Sequence, residues 1–186
     1  MLVARCARGA KTLFDSTPAA AQSRGKRRVG QLGTRCQLHI DGTLGRASAK
    51  PRLPEEGDWV ETRRRFEARD VKALCDLTGD HNEIHSRPAG GFNVAIVPGL
   101  QVASQIPALF AAASPGSVYR SQDLVFSRAV PVGTEVRVRI KVERVRLLKG
   151  GARGAVAMCA TTCYLEGPTT VAVRGTASVL VPALPV

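Results

Sequence analysis

The residues best suited to chemistry lie in the segment 77–85, where an aspartate and a histidine are five positions apart. Asp80 follows Gly79 in a pair typical of a tight turn, and His85 comes after a further short loop. Because both side chains leave from irregular backbone, they are free to converge on one small molecule. A carboxylate and an imidazole that face a shared water form a general acid/base pair. The alternative is a structural turn in which Asp80 and Asn82 bind only local backbone N–H groups.

A second candidate is the start of the segment 99–113. Its small and apolar residues surround most of a helical wheel, which predicts a helix buried on nearly all sides. The first turn of such a helix has free N–H groups, and Gly99 has no Cβ to block a ligand. These N–H groups can stabilise a thioester oxygen as it gains negative charge. Alternatively, Gly99 only permits a tight entry into the helix. Pro107 predicts a bend or a restart.

The elements around these residues predict an α+β fold. A loosely alternating segment, 59–66, indicates a first strand, and apolar residues at helical period indicate a helix over 68–77. Four β-rich segments follow the buried helix, at residues 117–127, 134–148, 152–166 and 170–181. Long successive strands with short connections favour an antiparallel sheet, and the buried helix ahead of them predicts a sheet wrapped around that helix.

The positive charge of the chain is concentrated near its N-terminus. The chain has a net charge of +12, and its first 50 residues contribute ten Lys or Arg against two Asp or Glu. Bases alternate with apolar residues over 2–13 and no acid precedes Asp15, as is typical of a mitochondrial or plastid transit peptide. A disordered basic tail that binds nucleic acid is the alternative. We predict a disordered transit peptide and linker over 1–50, a single domain over 51–186, and no membrane span.

The cysteines favour a reducing compartment. Cys159 and Cys163 lie on one predicted strand and are separated by about 13 Å at ~3.3 Å per residue, which exceeds the roughly 7 Å limit for a disulfide. Together with Cys75 on the first helix, they are interpreted as small apolar residues. No Cys/His group has the spacing of a zinc site. We therefore expect neither a metal nor a cofactor.

Several segments resemble, in the same order, the MaoC-like family of (R)-specific enoyl-thioester hydratases. The matching residues are Phe66, Asp70-Val71, Leu77-Thr78-Gly79-Asp80, Asn82, His85, Ile96-Val97, Gly99-Leu100, Gly116-Ser117-Val118-Tyr119, Ser121-Gln122, Leu124, Phe126 and Val130-Pro131-Val132-Gly133. The resemblance extends over about residues 66–136. It implies a hot-dog fold, in which an antiparallel sheet wraps around a central helix, and a homodimer.

The resemblance also implies an activity, namely the reversible (R)-specific hydration of a trans-2-enoyl thioester of coenzyme A or acyl carrier protein. Asp80 and His85 would be the catalytic pair, with Asn82 orienting the loop. Gly99 would donate to the oxyanion, with Leu100 beside it in the substrate site. Together with the leader, this indicates a 3-hydroxyacyl-thioester dehydratase of mitochondrial fatty-acid synthesis in the matrix. A thioesterase of the same fold and a non-catalytic organellar RNA- or acyl-binding protein are the alternatives.

The chain departs from the family pattern close to these residues. Glu83 stands where proline is usual, Pro98 stands where histidine is common, and the segment 86–98 is shorter than expected. Both substitutions change the polar groups near the candidate pair.

One predicted strand carries a row of cations. Arg137, Arg139 and Lys141 alternate with apolar residues, which places them on one face of the sheet. This face is either solvated or a docking surface for an acidic carrier protein or for coenzyme A phosphates. Nucleic acid is disfavoured as a partner because the chain beyond residue 50 is only modestly basic and has few aromatic residues.

Overall fold

The computed structural model describes residues 39–44, 52–165 and 170–183. Within these ranges the chain forms eight strands, β1 (Asp41–Thr43), β2 (Trp59–Arg65), β3 (Ile96–Val97), β4 (Val118–Phe126), β5 (Val130–Pro131), β6 (Glu135–Leu147), β7 (Ala155–Leu165) and β8 (Thr170–Val181). The helices are α1 (Ala68–Thr78), α2 (Gly99–Ala103) and α3 (Gln105–Ala113), with 3-10 turns at Glu83–His85 and Lys149–Gly151. The transit peptide predicted within 1–50 lies almost entirely outside the described residues.

Six of the strands form one antiparallel sheet in the order β1-β2-β6-β7-β8-β4. The three long strands β6, β7 and β8 are consecutive in the chain and adjacent in the sheet, because connections of few residues favour pairing with the next strand. The two-residue strands β3 and β5 pair with each other outside this sheet. The predicted antiparallel sheet is therefore confirmed.

The inner face of the sheet packs on α3. On β6, Val136, Val138 and Ile140 have no exposed surface, and on α3 Leu109 and Phe110 are equally buried. The period of two on the strand and the apolar character of the helix together produce this interface. Complete burial of such side chains stabilises the fold by roughly 1.5–3 kcal/mol each. The predicted α+β arrangement of a sheet around a central helix is confirmed.

The central helix is interrupted, as Pro107 predicts. Its two parts, α2 and α3, meet at Ser104, three residues before the proline. Proline has no N–H to donate to the carbonyl oxygen of Ala103, so the regular hydrogen-bonding pattern stops there. The break separates a short N-terminal piece that begins at Gly99 from the longer α3. The prediction of burial on nearly all sides is wrong, because Pro107, Ala111 and Ala112 of α3 are exposed and only the face toward the sheet is buried.

The predicted row of cations lies on the outer face of the sheet, opposite the helices. The Glu61 carboxylate is 3.6 Å from Arg137 Nε and 4.0 Å from Arg139 Nη1. The two guanidinium groups also lie over aromatic rings, Arg137 at 4.9 Å from the Tyr164 centroid and Arg139 at 4.5 Å from that of Trp59. These contacts give the two arginines a structural role on this face.

The structure adds a strand inside the stretch interpreted as a linker. Strand β1 pairs with β2, with Gly42 opposite Val60, and the side chain of Leu44 is fully buried. A strand of three residues is too short to show alternation, so no periodic pattern predicts it. In the described ranges, no helix has the length and apolar character that a membrane crossing requires.

Candidate active site

The candidate site begins where α1 ends. Gly79 adopts a left-handed conformation with φ of 73°, and its N–H donates to the carbonyl oxygen of Cys75 at 2.8 Å. Glycine takes this conformation without the steric penalty of a Cβ, so it is the usual residue at such a helix end. The chain turns away from the helix axis here, and Asp80 therefore leaves on irregular backbone, as the sequence predicts.

The two oxygens of Asp80 have different surroundings. Oδ1 accepts a hydrogen bond from the Asn82 N–H at 3.1 Å, and Asn82 Oδ1 in turn accepts from the Ile84 N–H at 3.4 Å. The local turn considered as an alternative role is therefore present. It uses only Oδ1, so Oδ2 remains available for chemistry.

That second oxygen faces His85. The imidazole Nε2 lies 3.5 Å from Asp80 Oδ2, while Nδ1 lies 2.8 Å from the carbonyl oxygen of Ile96. Because a carbonyl oxygen only accepts, Nδ1 carries the hydrogen, and in the neutral form of the ring Nε2 presents its lone pair to the carboxylate. Two acceptors at this separation do not bond directly. They can instead share one water molecule, which has two hydrogens to donate and whose oxygen lies about 2.8 Å from each.

His85 stands between two cavities. Asp80, Asn82 and Cys75 line one, of about 420 Å³, together with His85. Gly99 and Leu100 line the other, of about 390 Å³, again together with His85. The structure thus brings Asp80, Asn82 and His85 together and places Gly99 and Leu100 on the other side of the imidazole. The side chain of His85 is 11% exposed and lines both cavities, so the two spaces adjoin at the imidazole.

The start of α2 is covered by an aromatic ring that sequence reasoning gave no role. A Cβ built on Gly99 would lie 2.7 Å from Cδ1 of Phe126, so the ring rests directly against this glycine. Phe126 is 49% exposed and Leu100 beside it is 68% exposed. Phe126 belongs to the motif that ends β4, which was the available signal, but only the packing of β4 against α2 shows its position.

The remaining polar residues of the Asp80 cavity limit the possible chemistry. Burial raises the pKa of the Cys75 thiol, and the negative charges of Asp80 and Asp76 raise it further. Cys75 therefore stays protonated at neutral pH and is a poor nucleophile. Burial also raises the pKa of Cys159 and that of Cys163 to about 12, so neither of these two core thiols is reactive.

The departure at Glu83 leaves the acid–imidazole pair in place. Glu83 opens the 3-10 turn that carries His85 and forms an exposed ion pair with Arg87 one turn later. Both charged side chains are 62% exposed, so the pair adds little stability. Among the residues that the structure describes, no three His, Cys, Asp or Glu side chains are grouped in a way that would hold a metal ion.

Comparisons with known proteins point to one family. Residues 54–162 match the family described as the MaoC-like domain. A mitochondrial 3-hydroxyacyl-acyl-carrier-protein dehydratase of Solanum lycopersicum is 32% identical over 143 residues, which cover 74% of this chain and 84% of that protein. An (R)-specific enoyl-CoA hydratase of Aeromonas caviae is 33% identical and aligns over 69% of this chain and 96% of its own length.

Comparison with solved structures points to the same family. The solved structure of an (R)-hydratase from A. caviae, involved in PHA biosynthesis, superimposes with a TM-score of 0.61 at 31% sequence identity. The superposition covers 69% of this chain and 97% of that structure. Residues 54–162, which match the family, contain all five candidate site residues named from the sequence.

Proposed function

This chain belongs to the MaoC-like domain family, and on that premise we propose that it is a hydro-lyase that interconverts (R)-3-hydroxyacyl and trans-2-enoyl thioesters. The names of its relatives, a 3-hydroxyacyl-acyl-carrier-protein dehydratase and an (R)-specific enoyl-CoA hydratase, support this class of reaction. The observation that carries the proposal is the 3.5 Å separation between Asp80 Oδ2 and His85 Nε2 at the edge of a cavity.

The geometry supports a mechanism of water addition on one face of the double bond. A water held between Asp80 and His85 donates a hydrogen to each, which directs its oxygen lone pair outward. As that oxygen bonds to C3 of the enoyl thioester, one of its protons passes to one of the two acceptors. The proton is then delivered to C2 on the same face, so that one water is added in total. Dehydration is the reverse.

The negative charge that develops during this step lies on the thioester oxygen. We place that oxygen near the N–H of Gly99, because Gly99 lines the same cavity as His85 and a backbone N–H there can stabilise the negative charge. The Phe126 ring then has to turn aside as the thioester enters, which its half-exposed position allows. Leu100 would contact the same part of the substrate.

The carrier is coenzyme A or acyl carrier protein, and we place its approach on the Gly99 side. Of the residues that line this cavity, Arg128 is the one Lys or Arg and none is acidic. Docking of the carrier on Arg137, Arg139 and Lys141 gains no support, because these residues lie on the sheet face opposite the helices. The mitochondrial relative supports a mitochondrial location, and we propose the matrix and fatty-acid synthesis as the setting.

Incubation of the purified chain with crotonyl-CoA tests this function. We expect the enoyl absorbance to fall without release of free thiol, because water adds across C2=C3 and leaves the thioester intact. Released thiol would instead show a thioesterase. Neither change would favour a binding protein, and the proposal would be abandoned.

We further propose that the protein is a homodimer joined through β4. This strand has a single neighbour, β8, in the described part of the sheet, so its other edge is open. Val118, Val125 and Phe126 on this strand are each about half exposed. An open apolar edge of this kind is a site of association unless something covers it. A second copy paired there would also cover Phe126 and Leu100 and so close the cavity at Gly99.

A charge at this edge is expected to separate the protomers. Val125→Asp would place a carboxylate in the covered edge, and its desolvation opposes association. We expect a mass near that of one 19.8 kDa chain by light scattering, with activity reduced in parallel. Met158→Asp is the matched control. Met158 is 41% exposed and lies on β7, which has a neighbouring strand on both sides, so this substitution should leave the dimer intact. A wild-type monomer, or equal dissociation by both variants, would contradict the interface.

A further inference from the structure

The turn between β6 and β7 carries a group of cations that the proposed function does not use. A cavity of about 340 Å³ is lined there by Arg146, Leu147, Leu148, Lys149, Arg153 and Leu180. Three of the six lining residues are positively charged and none is negatively charged. No ion pair recorded for the described ranges involves any of these three cations.

The backbone of this turn is strained at one of the cations. Lys149 has φ of 48° and is the one non-glycine residue with positive φ in the described part of the chain. Gly150 and Gly151 follow with φ of 62° and 97°. A left-handed conformation is sterically unfavourable for a residue with a Cβ, and such strain is concentrated at functional positions. A glycine at position 149 would relieve the strain but would remove the charge from the cavity.

The composition of the cavity indicates the chemistry of its ligand. Three cations around one space repel each other, and an anion with several acceptor oxygens removes that repulsion while bonding to the guanidinium groups. Phosphate has this shape and charge. The three leucines add an apolar wall, and Leu147 is 53% exposed. An apolar substituent on the phosphate would cover that wall.

The cavity is remote from the acid–imidazole pair. The chain enters β6 next to the end of β2, where the Gly133 N–H donates to the carbonyl oxygen of Phe66 at 2.8 Å, and it leaves β6 at Leu147. The 13 residues of β6 span roughly 40 Å at ~3.3 Å per residue. A ligand at the turn therefore does not share the space of the thioester.

We propose that this turn is a binding site for the phosphate group of an ester with an apolar substituent, separate from the active site. The ester is either a phospholipid headgroup or a water-soluble phosphate ester. In both cases the group that contacts Arg146, Lys149 and Arg153 is a negatively charged phosphate.

Calorimetric titration of the full chain tests this site without using catalysis. The probes are glycerol 3-phosphate and dihexanoylphosphatidic acid, the latter below its micelle concentration. We expect the triple variant Arg146→Gln, Lys149→Gln, Arg153→Gln to weaken binding of the better probe at least about 10-fold, because charged hydrogen bonds are lost. The matched control is Arg120→Gln, Lys141→Gln, Arg174→Gln, which removes the same charge from exposed residues outside the cavity.

The outcomes separate the sources of the phosphate. Tighter binding of the phosphatidic acid supports a lipid headgroup, whereas equal binding of both probes would show that the leucine wall adds nothing and would overturn the apolar substituent of the proposed ligand. Failure of both probes to bind the wild type at roughly 10 mM would overturn the site. Equal weakening by the two triple variants would do so as well, because it would show attraction by net charge alone. If circular dichroism shows that the first triple variant is unfolded, Arg153→Gln alone against Arg174→Gln gives the same comparison.

Discussion

Asp80→Asn and His85→Gln are each expected to lower kcat for crotonyl-CoA hydration at least about 100-fold, with folding retained. Each change removes one of the two acceptors that hold the water. An amide nitrogen in place of Oδ2 would donate toward the water, and the glutamine side chain cannot restore the lone pair of Nε2 in its place. A loss of this size corresponds to about 2.7 kcal/mol of transition-state stabilisation.

The same cavity provides matched controls for both changes. Asp76→Asn and His81→Gln alter a carboxylate and an imidazole that line the cavity of Asp80 and His85 but do not take part in the contact between those two residues. We expect both to keep kcat within a few-fold of the wild type. Steady-state kinetics on the four variants, with circular dichroism as the folding check, make the comparison. Near-normal activity of either Asp80→Asn or His85→Gln would remove that residue from the mechanism.

Gly175→Ala is expected to lower the free energy of unfolding by about 3 kcal/mol or more, at the upper end of overpacking changes. A Cβ at this position of β8 would lie 1.7 Å from the carbonyl oxygen of Asp123 on β4 and 3.1 Å from Gln122 Nε2. The Gln122 amide crosses here and donates to the carbonyl oxygen of Thr176 at 3.1 Å. Because the closest atom belongs to the backbone of a paired strand, relief of the clash requires β4 and β8 to separate.

Urea unfolding of Gly175→Ala and Gly133→Ala distinguishes this clash from a loss of backbone freedom. Gly133 has φ of 82° but open space around its Cβ position, so its substitution should be limited to the conformational penalty of about 1–2 kcal/mol. The larger effect at Gly175 would also weaken the edge strand that carries Phe126. Equal effects of the two substitutions would contradict the packing described for β8.

The substitutions at Asp80 and His85 and the substitution at Gly175 affect different requirements of one site. The acid–imidazole pair is held by local turns and by one contact to β3, whereas the wall around Gly99 depends on how β4 is fixed to β8. A change in the sheet can therefore affect activity without touching Asp80 or His85. The proposed dimer extends this dependence, since the open edge of the same strand would carry the second protomer.

Much of the site was visible in the sequence because its determinants are local. Gly79 followed by Asp80 specifies a helix end and a turn, and five positions are a short enough distance for the turn to bring His85 near Asp80. The alternating residues of β6 and the apolar run of α3 likewise depend on periods of two and 3.6 residues. The order and type of the long elements therefore followed from short-range patterns.

Contacts between distant segments decided the rest. The tautomer of His85 depends on the carbonyl oxygen of Ile96, the cover of Gly99 depends on Phe126, and the need for Gly175 depends on Asp123. The two residues of each pair are too far apart in the sequence for a periodic pattern to predict their contact. By itself the sequence determined which groups are available for chemistry. The packing of strands and helices decided which of their atoms face one another, because side-chain direction is fixed only when the sheet closes over the helix.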